Sequence, residues 1–355
     1  MTRYFATLVF FFTTSFLYAQ NPLAVHFIDV GQGDSIFVQS SDGKTMLIDA
    51  GENDKLAEKY LRSLGVQTID VVVATHPHLD HIGGLPDIIK NFDVKSVIMP
   101  RVTSVTTVTY QKLLEAIQAK GLRITEGKAG LAFDLGTSAH LECLAPNSAQ
   151  YEDLNDYSVV LKMTCGDVTF LFTGDATTVS EKEMLANHAD KLKATILKVG
   201  HHGSASSSST GFIQQVNPQV TVLSLGKDNK YGHPTNVVMN RIVHTPIFRT
   251  DMQGSIILVT DGKGLAAYSP PVNGAYQQLF AAHVPGSQAP PTVQAQAQPA
   301  VASQAPQAAS TDTVYVTRSG AKYHKDGCRH LTNPIALSRS EAEARSYTPC
   351  AVCKP

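Results

Sequence analysis

Thr75-His76-Pro77-His78-Leu79-Asp80-His81 follows directly on 69–74, a run that is apolar apart from Asp70. Such a run reads as a central strand buried on both faces. Four side chains able to hold a metal therefore cluster just past a strand end, where a tight loop turns them toward one point. His76 and His78, two apart, grip one ion; Asp80 and His81 grip a second close by. Imidazole and carboxylate together suit zinc, manganese or iron. Pro77 and the pair Gly83-Gly84 fit a shaped loop leading into a helix.

Two later strand ends carry the same kind of residue. Phe170-Leu171-Phe172-Thr173-Gly174-Asp175 puts one acid at the end of an apolar strand, and Leu197-Lys198-Val199-Gly200-His201-His202-Gly203-Ser204 puts two histidines at the end of another. Strand ends that share one edge of a sheet are where α/β proteins assemble sites. The ordered set His-x-His-x-Asp-His, Thr-Gly-Asp and a late His resembles the signature of the metallo-β-lactamase fold. The opening Asp29-Val30-Gly31-Gln32-Gly33-Asp34-Ser35 and the Lys-x-x-His-His-Gly-Ser block are similar to the soluble metallo-β-lactamase-type domain of the ComEC competence DNA-uptake channels. The resemblance covers about residues 25–260.

That resemblance implies a four-layer αββα sandwich. It implies His76 and His78 at a first metal, Asp80, His81 and His201 at a second, and Asp175 bridging both. His202 is the alternative to His201; His201 is the preferred ligand and His202 then supports from behind, with Asp34 and Asp49. Most two-metal members supply a third His to the first metal upstream of the bridging acid. Here that stretch reads Leu154-Asn155-Asp156-Tyr157-Ser158, with no His. Asn155 offers a neutral oxygen and Asp156 a charged one, which makes the first site harder and weaker. One or two divalent ions are expected, zinc with manganese or magnesium as substitutes.

A metal pair lowers the pKa of bound water and steadies both oxygens of a displacement. The expected nucleophile is a metal-held hydroxide, with Asp80 orienting it. Asn229-Lys230-Tyr231-Gly232-His233-Pro234 is similar to another block of the same subgroup. His233 is placed to protonate a leaving group or bind phosphate, or is a structural His beside a turn. Lys198 is a candidate phosphate contact, and the Ser-rich stretch 204–209 a candidate groove lining. The resemblance favours a phosphodiesterase or nuclease acting on DNA. The alternatives are a hydrolase of small phosphate esters and a DNA-binding protein with a weak or inactive site.

Farther out, 25–30, 35–39 and 45–48 read as strands, as do 157–164, 168–173, 194–199, 220–225 and 255–260. Leu56, Tyr60, Leu61 and Leu64 share a helical face, and Leu113, Leu114 and Ile117 another. This mixture predicts a large α/β sandwich over 23–268. Residues 1–19 have the three-part pattern of a secretory signal peptide, so a secreted or periplasmic protein with no stable membrane association after cleavage is expected. Residues 269–312 read as a linker; from 285 they are almost entirely Pro, Ala, Gln, Ser, Thr and Val, a composition that cannot bury a core. The segment 313–355 resembles small Ada-type metal-binding modules, with His324, Cys328, Cys350 and Cys353 as a structural zinc site and His330 as the alternative to His324. A disulfide within this segment is the competing reading. Cys143 and Cys165 sit in strand-like runs and are expected as buried thiols.

The 355 residues carry 29 Lys plus Arg and 30 Asp plus Glu, with 43% hydrophobic residues and only five cysteines. That excludes a wholly disordered chain and a disulfide-dense scaffold. The near-zero charge is an average over unlike parts. Residues 20–284 carry 21 basic against 26 acidic side chains, a net of −5, and 313–355 carry 7 against 3, a net of +4. A basic tail attracts phosphate backbones, with an affinity that falls as salt rises.

Overall fold

The computed structural model describes residues 22–270 apart from 53 and 104, then 277–283 and, in the tail, 313–316, 322–325, 328, 335–344, 347–350 and 352–353. The expected signal peptide and the Pro/Ala/Gln-rich stretch 285–312 lie outside these residues. The chain divides into two compact units, with the boundary between Gln296 and Ala297.

The first unit is two sheets face to face. In chain order the strands are β1 (Leu23–Phe27), β2 (Ile36–Gln39), β3 (Thr45–Ile48), β4 (Thr68–Val73), β5 (Asp93–Met99), β6 (Ile124–Glu126), β7 (Ala132–Leu135), β8 (Ala139–Ala145), β9 (Val160–Cys165), β10 (Val168–Phe172), β11 (Ile196–Lys198), β12 (Val220–Leu223), β13 (Ile247–Arg249), β14 (Ile256–Thr260), β15 (Gly264–Tyr268) and β16 (Gln278–His283). Among the described residues one sheet has the order β16-β15-β14-β1-β2-β3-β4-β5-β6 and the other β13-β12-β11-β10-β9-β8-β7. Alternation along each strand explains the layers, because successive side chains leave a sheet on opposite faces. On β2, Ile36 and Val38 enter the core between the sheets with Phe27, Met163 and Phe170, while Phe37 points outward to the helices. Helices Leu56–Ser63, Leu85–Asn91 and Val108–Ala119 cover the outside of the first sheet through Leu61, Ile88 and Leu113. Helices Thr178–Asn187, Thr210–Val216 and Asn236–Ile242 cover the second through Met184, Phe212 and Val238. The four-layer αββα order follows.

One boundary is corrected. Residues 269–312 read as linker, yet β16 lies within that span and pairs antiparallel with β15 from Gly264↔His283 to Tyr268↔Gln278. Leu279 packs on the inter-sheet core. The absence of charge that suggested a linker suits an edge strand equally well.

What matters for function is direction. β3, β4, β5 and β6 run parallel, as do β10, β11, β12 and β13. Their C-terminal ends deliver residues 49, 75–81, 175, 201–202 and the loop 224–234. Among the described residues no helix is long and apolar enough to cross a membrane.

The second unit has a small sheet with the order β19-β17-β18-β20: β17 (Thr313–Val316), β18 (Lys322–His324), β19 (Ile335–Ser338) and β20 (Thr348–Pro349). Its apolar cluster is Val314, Val316, Tyr323 and Ala342. A core that small needs a staple.

Candidate metal centre

Asp80, His81, Asp175 and His202 each bring one ligand atom to a common point, all within 4.8 Å of one another. His81 Nε2 is 3.2 Å from Asp175 Oδ2, and His202 Nε2 is 3.3 Å from both Asp175 Oδ2 and Asp80 Oδ2. His81 Nε2, His202 Nε2 and Asp175 Oδ1 are buried and lack a good hydrogen-bond partner. Orphaned polar atoms at that depth are costly unless something else satisfies them. A divalent cation fits the donor set of two imidazoles and two carboxylates. Beside this cluster, His76 Nε2 is 3.0 Å from His78 Nδ1 and 4.0 Å from Asp175 Oδ2, so His76 stands between His78 and Asp175.

The far side of each ring is fixed. His81 Nδ1 is 2.7 Å from Asp49 Oδ2, and Asp49 also accepts from Thr75 N–H at 2.8 Å and Thr75 Oγ1 at 2.6 Å. His202 Nδ1 donates to the Ser224 carbonyl at 2.8 Å. These bonds set the tautomer that leaves each Nε2 free. Ser158 links the two halves: its Oγ accepts from Asp175 N–H at 3.1 Å and lies 3.4 Å from His76 Nδ1. Asp49, His201 and His202 all have φ between 47° and 56°, the left-handed region that residues with a Cβ rarely occupy. Strain of this kind collects at functional sites. Gly33 (φ 128°) is forced: a Cβ there would sit 2.1 Å from the Asp80 carbonyl, so only glycine lets the 31–34 turn close on the metal loop.

Charges are coupled throughout. Burial pushes the Asp175 carboxyl up, but the His202 and His81 imidazoles outweigh it and hold it well below the usual range. Burial likewise disfavours charge on His81 and His202; the facing carboxylates, Asp175 foremost, hold both well above an ordinary imidazole. Asp80 is held low against its burial by His202 and His81. His76 is pushed well down by burial and the neighbouring His81. A divalent cation at this point would supply the positive charge that the facing carboxylates favour.

The structure revises four readings. His202 rather than His201 completes the cluster with Asp80, His81 and Asp175. His201 Nε2 is 3.7 Å from Asp175 Oδ2, and its Nδ1 is 3.0 Å from Ser206 Oγ on the solvent side. Lys198 cannot touch substrate: it is fully buried, with Nζ 2.7 Å from Asp34 Oδ2 and donating to the Val199 carbonyl at 3.0 Å. Asp34 is thus the partner of a buried cation as well as a neighbour of His202 Nδ1 at 3.4 Å. Asp156 is spent on structure, its Oδ1 accepting from Thr177 N–H and Oγ1. Asn155 is buried in the turn Leu154–Tyr157, with Oδ1 unpartnered. The Ser-rich stretch is tied down: Ser207 Oγ donates to the Ala176 carbonyl at 2.7 Å, and Glu181 accepts from the backbone of Ser208 and Ser209.

His233 stands one ring beyond His201, 5.8 Å between centroids, with Nδ1 buried and unpartnered. Burial, with His201 and His202 nearby, pushes its pKa down. Sequence reasoning missed Thr75 and Ser158. Their positions, one before the first His and two after Asp156, carry no signal beyond small polar residues at strand ends.

In the tail, His324, Cys328, Cys350 and Cys353 place their ligand atoms within 4.8 Å of one another. His324 Nδ1 is 3.3 Å from Cys328 Sγ and 3.8 Å from Cys353 Sγ. All five cysteines are free thiols, and the cluster is compatible with tetrahedral zinc. His330 lies outside the described residues.

The sequence pattern of the metallo-beta-lactamase superfamily matches residues 28–227. The chain belongs to that superfamily. Within it the chain is similar to ComE operon protein 3 of Bacillus subtilis (strain 168), 32% identical over 253 residues, which are 65% of this chain and 32% of that protein. Competence protein ComA of Neisseria gonorrhoeae is 30% identical over 244 residues, 67% of this chain and 32% of that protein. The chain therefore spans 32% of the length of either relative. Among solved structures, Tm1679, a metal-dependent hydrolase of the beta-lactamase superfamily, superposes with a TM-score of 0.44 at 16% identity over 64% of this chain and 95% of that one.

Proposed function

We propose that the chain is an exported metal-dependent phosphodiesterase acting on DNA. The observation that carries this reading is the convergence of His81 Nε2 and His202 Nε2, both buried without a good hydrogen-bond partner, on Asp175 Oδ2 at 3.2 and 3.3 Å. A divalent ion held there supplies Lewis acidity and activates water. Asp80, His81, Asp175 and His202 would hold that ion, and His76 and His78 would hold a second. Asp49 and the Ser224 carbonyl keep the two buried rings aimed. His233, flanking the centre on the open side, donates a hydrogen bond to a phosphate oxygen. The named relatives are a competence protein and the product of a com operon, which favours DNA over a thioester or lactam; the basic tail adds attraction for a phosphate backbone.

A second reading is favoured by one residue. Asn155 lies in the stretch of sequence where most two-metal members carry a third His, so a weak site that binds DNA without cleaving it is the competitor. The experiment takes the full chain without residues 1–19, a panel of Zn²⁺, Mn²⁺ and Mg²⁺, and single-stranded DNA, double-stranded DNA and bis(p-nitrophenyl) phosphate. Metal-dependent cleavage that is lost in His81→Ala and His76→Ala is the expected result. DNA binding with no cleavage under any metal establishes the competitor instead.

A further inference from the structure

Of the loop 226–234, the chemistry above uses only the histidine, yet the whole loop is built with care. Asn229 organises it. Its Oδ1 accepts from the N–H groups of Tyr231 (3.2 Å) and His233 (3.0 Å), and its Nδ2 donates to the carbonyls of Gly226 (3.1 Å) and His233 (2.7 Å). Thr235 N–H donates to the Gly203 carbonyl at 2.9 Å. Gly203 has φ 86°, and a Cβ there would lie 2.6 Å from Pro234 Cβ, so the loop seats directly on the turn that carries His201 and His202.

Four rings result, one beside the next. Centroids are 6.1 Å apart from His202 to His201, 5.8 Å from His201 to His233, and 5.9 Å from His233 to Tyr231, the last pair stacked at 24°. The series starts at a buried metal ligand and ends in solvent, where Tyr231 is 55% exposed. Lys230 Nζ is 5.3 Å from the Tyr231 centroid. An aromatic ring on a hydrogen-bonded loop, mostly in water, is not there for the core. It offers a large flat contact with few torsions to freeze.

We propose that Tyr231 is a stacking platform for the nucleobase next to the reacting phosphodiester of a single strand, with Lys230 as the cation for the adjoining phosphate. This rests on the phosphodiesterase reading of the metal centre. The chemistry separates nucleic acid from small phosphate esters, since only a substrate with a planar base gains from the ring. Base–aromatic stacking tolerates any sequence and is worth about 1–3 kcal/mol per base. A duplex keeps its bases stacked within itself, so the platform selects single strands or frayed ends.

The test measures fluorescence anisotropy of the full chain, without residues 1–19 and with Zn²⁺ present, against two labelled octamers. One is thymidine joined by phosphorothioate linkages, which resist cleavage; the other has the same backbone with abasic sites. Tyr231→Ala is expected to weaken binding of the thymidine octamer about tenfold and to change that of the abasic octamer far less. Tyr231→Phe, which keeps the ring, restores the original affinity. Equal losses on both octamers, no loss on either, or no binding by the unaltered chain overturns the inference. Hydrolysis of bis(p-nitrophenyl) phosphate by the unaltered chain separates the failures. If that reaction proceeds while Tyr231 shows no dependence on the base, only the platform falls; if it never proceeds, the phosphodiesterase reading falls.

Discussion

Lys198 and Asp34 show how one residue pair decides the chemistry of its neighbours. Both are buried, 2.7 Å apart, behind His202. Asp34 N–H also donates to the Asp80 carbonyl at 3.1 Å, so its backbone and side chain brace two residues of the candidate metal cluster at once. Removing one partner leaves an uncompensated buried charge, at a cost of about 3–5 kcal/mol. Lys198→Met is therefore expected to lower the denaturant midpoint sharply, and adding Asp34→Asn to recover part of the loss. Asp34→Asn alone is expected to weaken zinc binding about 10–100-fold, read by competition with a chromophoric chelator. His26 gives a pH dependence away from the centre. It is buried against Phe37 and Tyr60, and burial lowers its pKa from 6.5 to about 4. The unfolded chain takes its proton first, so stability present above pH 6.5 is lost as pH falls toward 4. At pH 5 the loss is about 2 kcal/mol. Chemical unfolding at pH 7 and pH 5 should show His26→Gln, which does not titrate, with a correspondingly smaller drop.

At the scale of elements, the strands that carry the centre were legible because largely apolar stretches end in candidate ligands. β4, β10 and β11 each do so; β11 is buried throughout and β10 nearly so, whereas β4, with Asp70 in it, is buried only in part. β16 was not legible. Gln278–His283 has one short apolar stretch in a long uncharged tract, and only pairing with β15 makes it a strand. A chain ending at 270 exposes the β15 edge and uncovers the contact with Leu279. We expect it to melt roughly 4–8 °C below a chain ending at 284, taking about 2 kcal/mol for the lost strand. Equal melting temperatures would return 269–284 to the linker.

The whole molecule joins two units of opposite charge, each with a cluster that could hold a metal, and thiol reactivity distinguishes their cysteines. Burial pushes the Cys143 thiol up to about 12 and the Cys165 thiol to about 11. Both belong to the inter-sheet core, whereas Cys328, Cys350 and Cys353 meet at His324. With zinc bound, no thiol of the native chain should react with Ellman's reagent. A chelator should release three, and denaturant the remaining two. Five reacting on chelation alone would show that the sandwich depends on the tail metal or that its thiols are accessible.

The sequence by itself determined the superfamily, because its ligands come in a local order that strand ends and tight loops suffice to arrange. It also set the separation of an acidic body from a basic, cysteine-bearing tail, which is a matter of composition. Tertiary structure alone decided between adjacent residues. His201 and His202 have the same chemistry and both occupy left-handed backbone. Only the Ser224 carbonyl on the neighbouring strand's loop, and the acids opposite, turn His202 inward and leave His201 at the rim. The same holds for Lys198, which resembles a phosphate contact in the sequence until Asp34, arriving from another strand pair, is found buried against it.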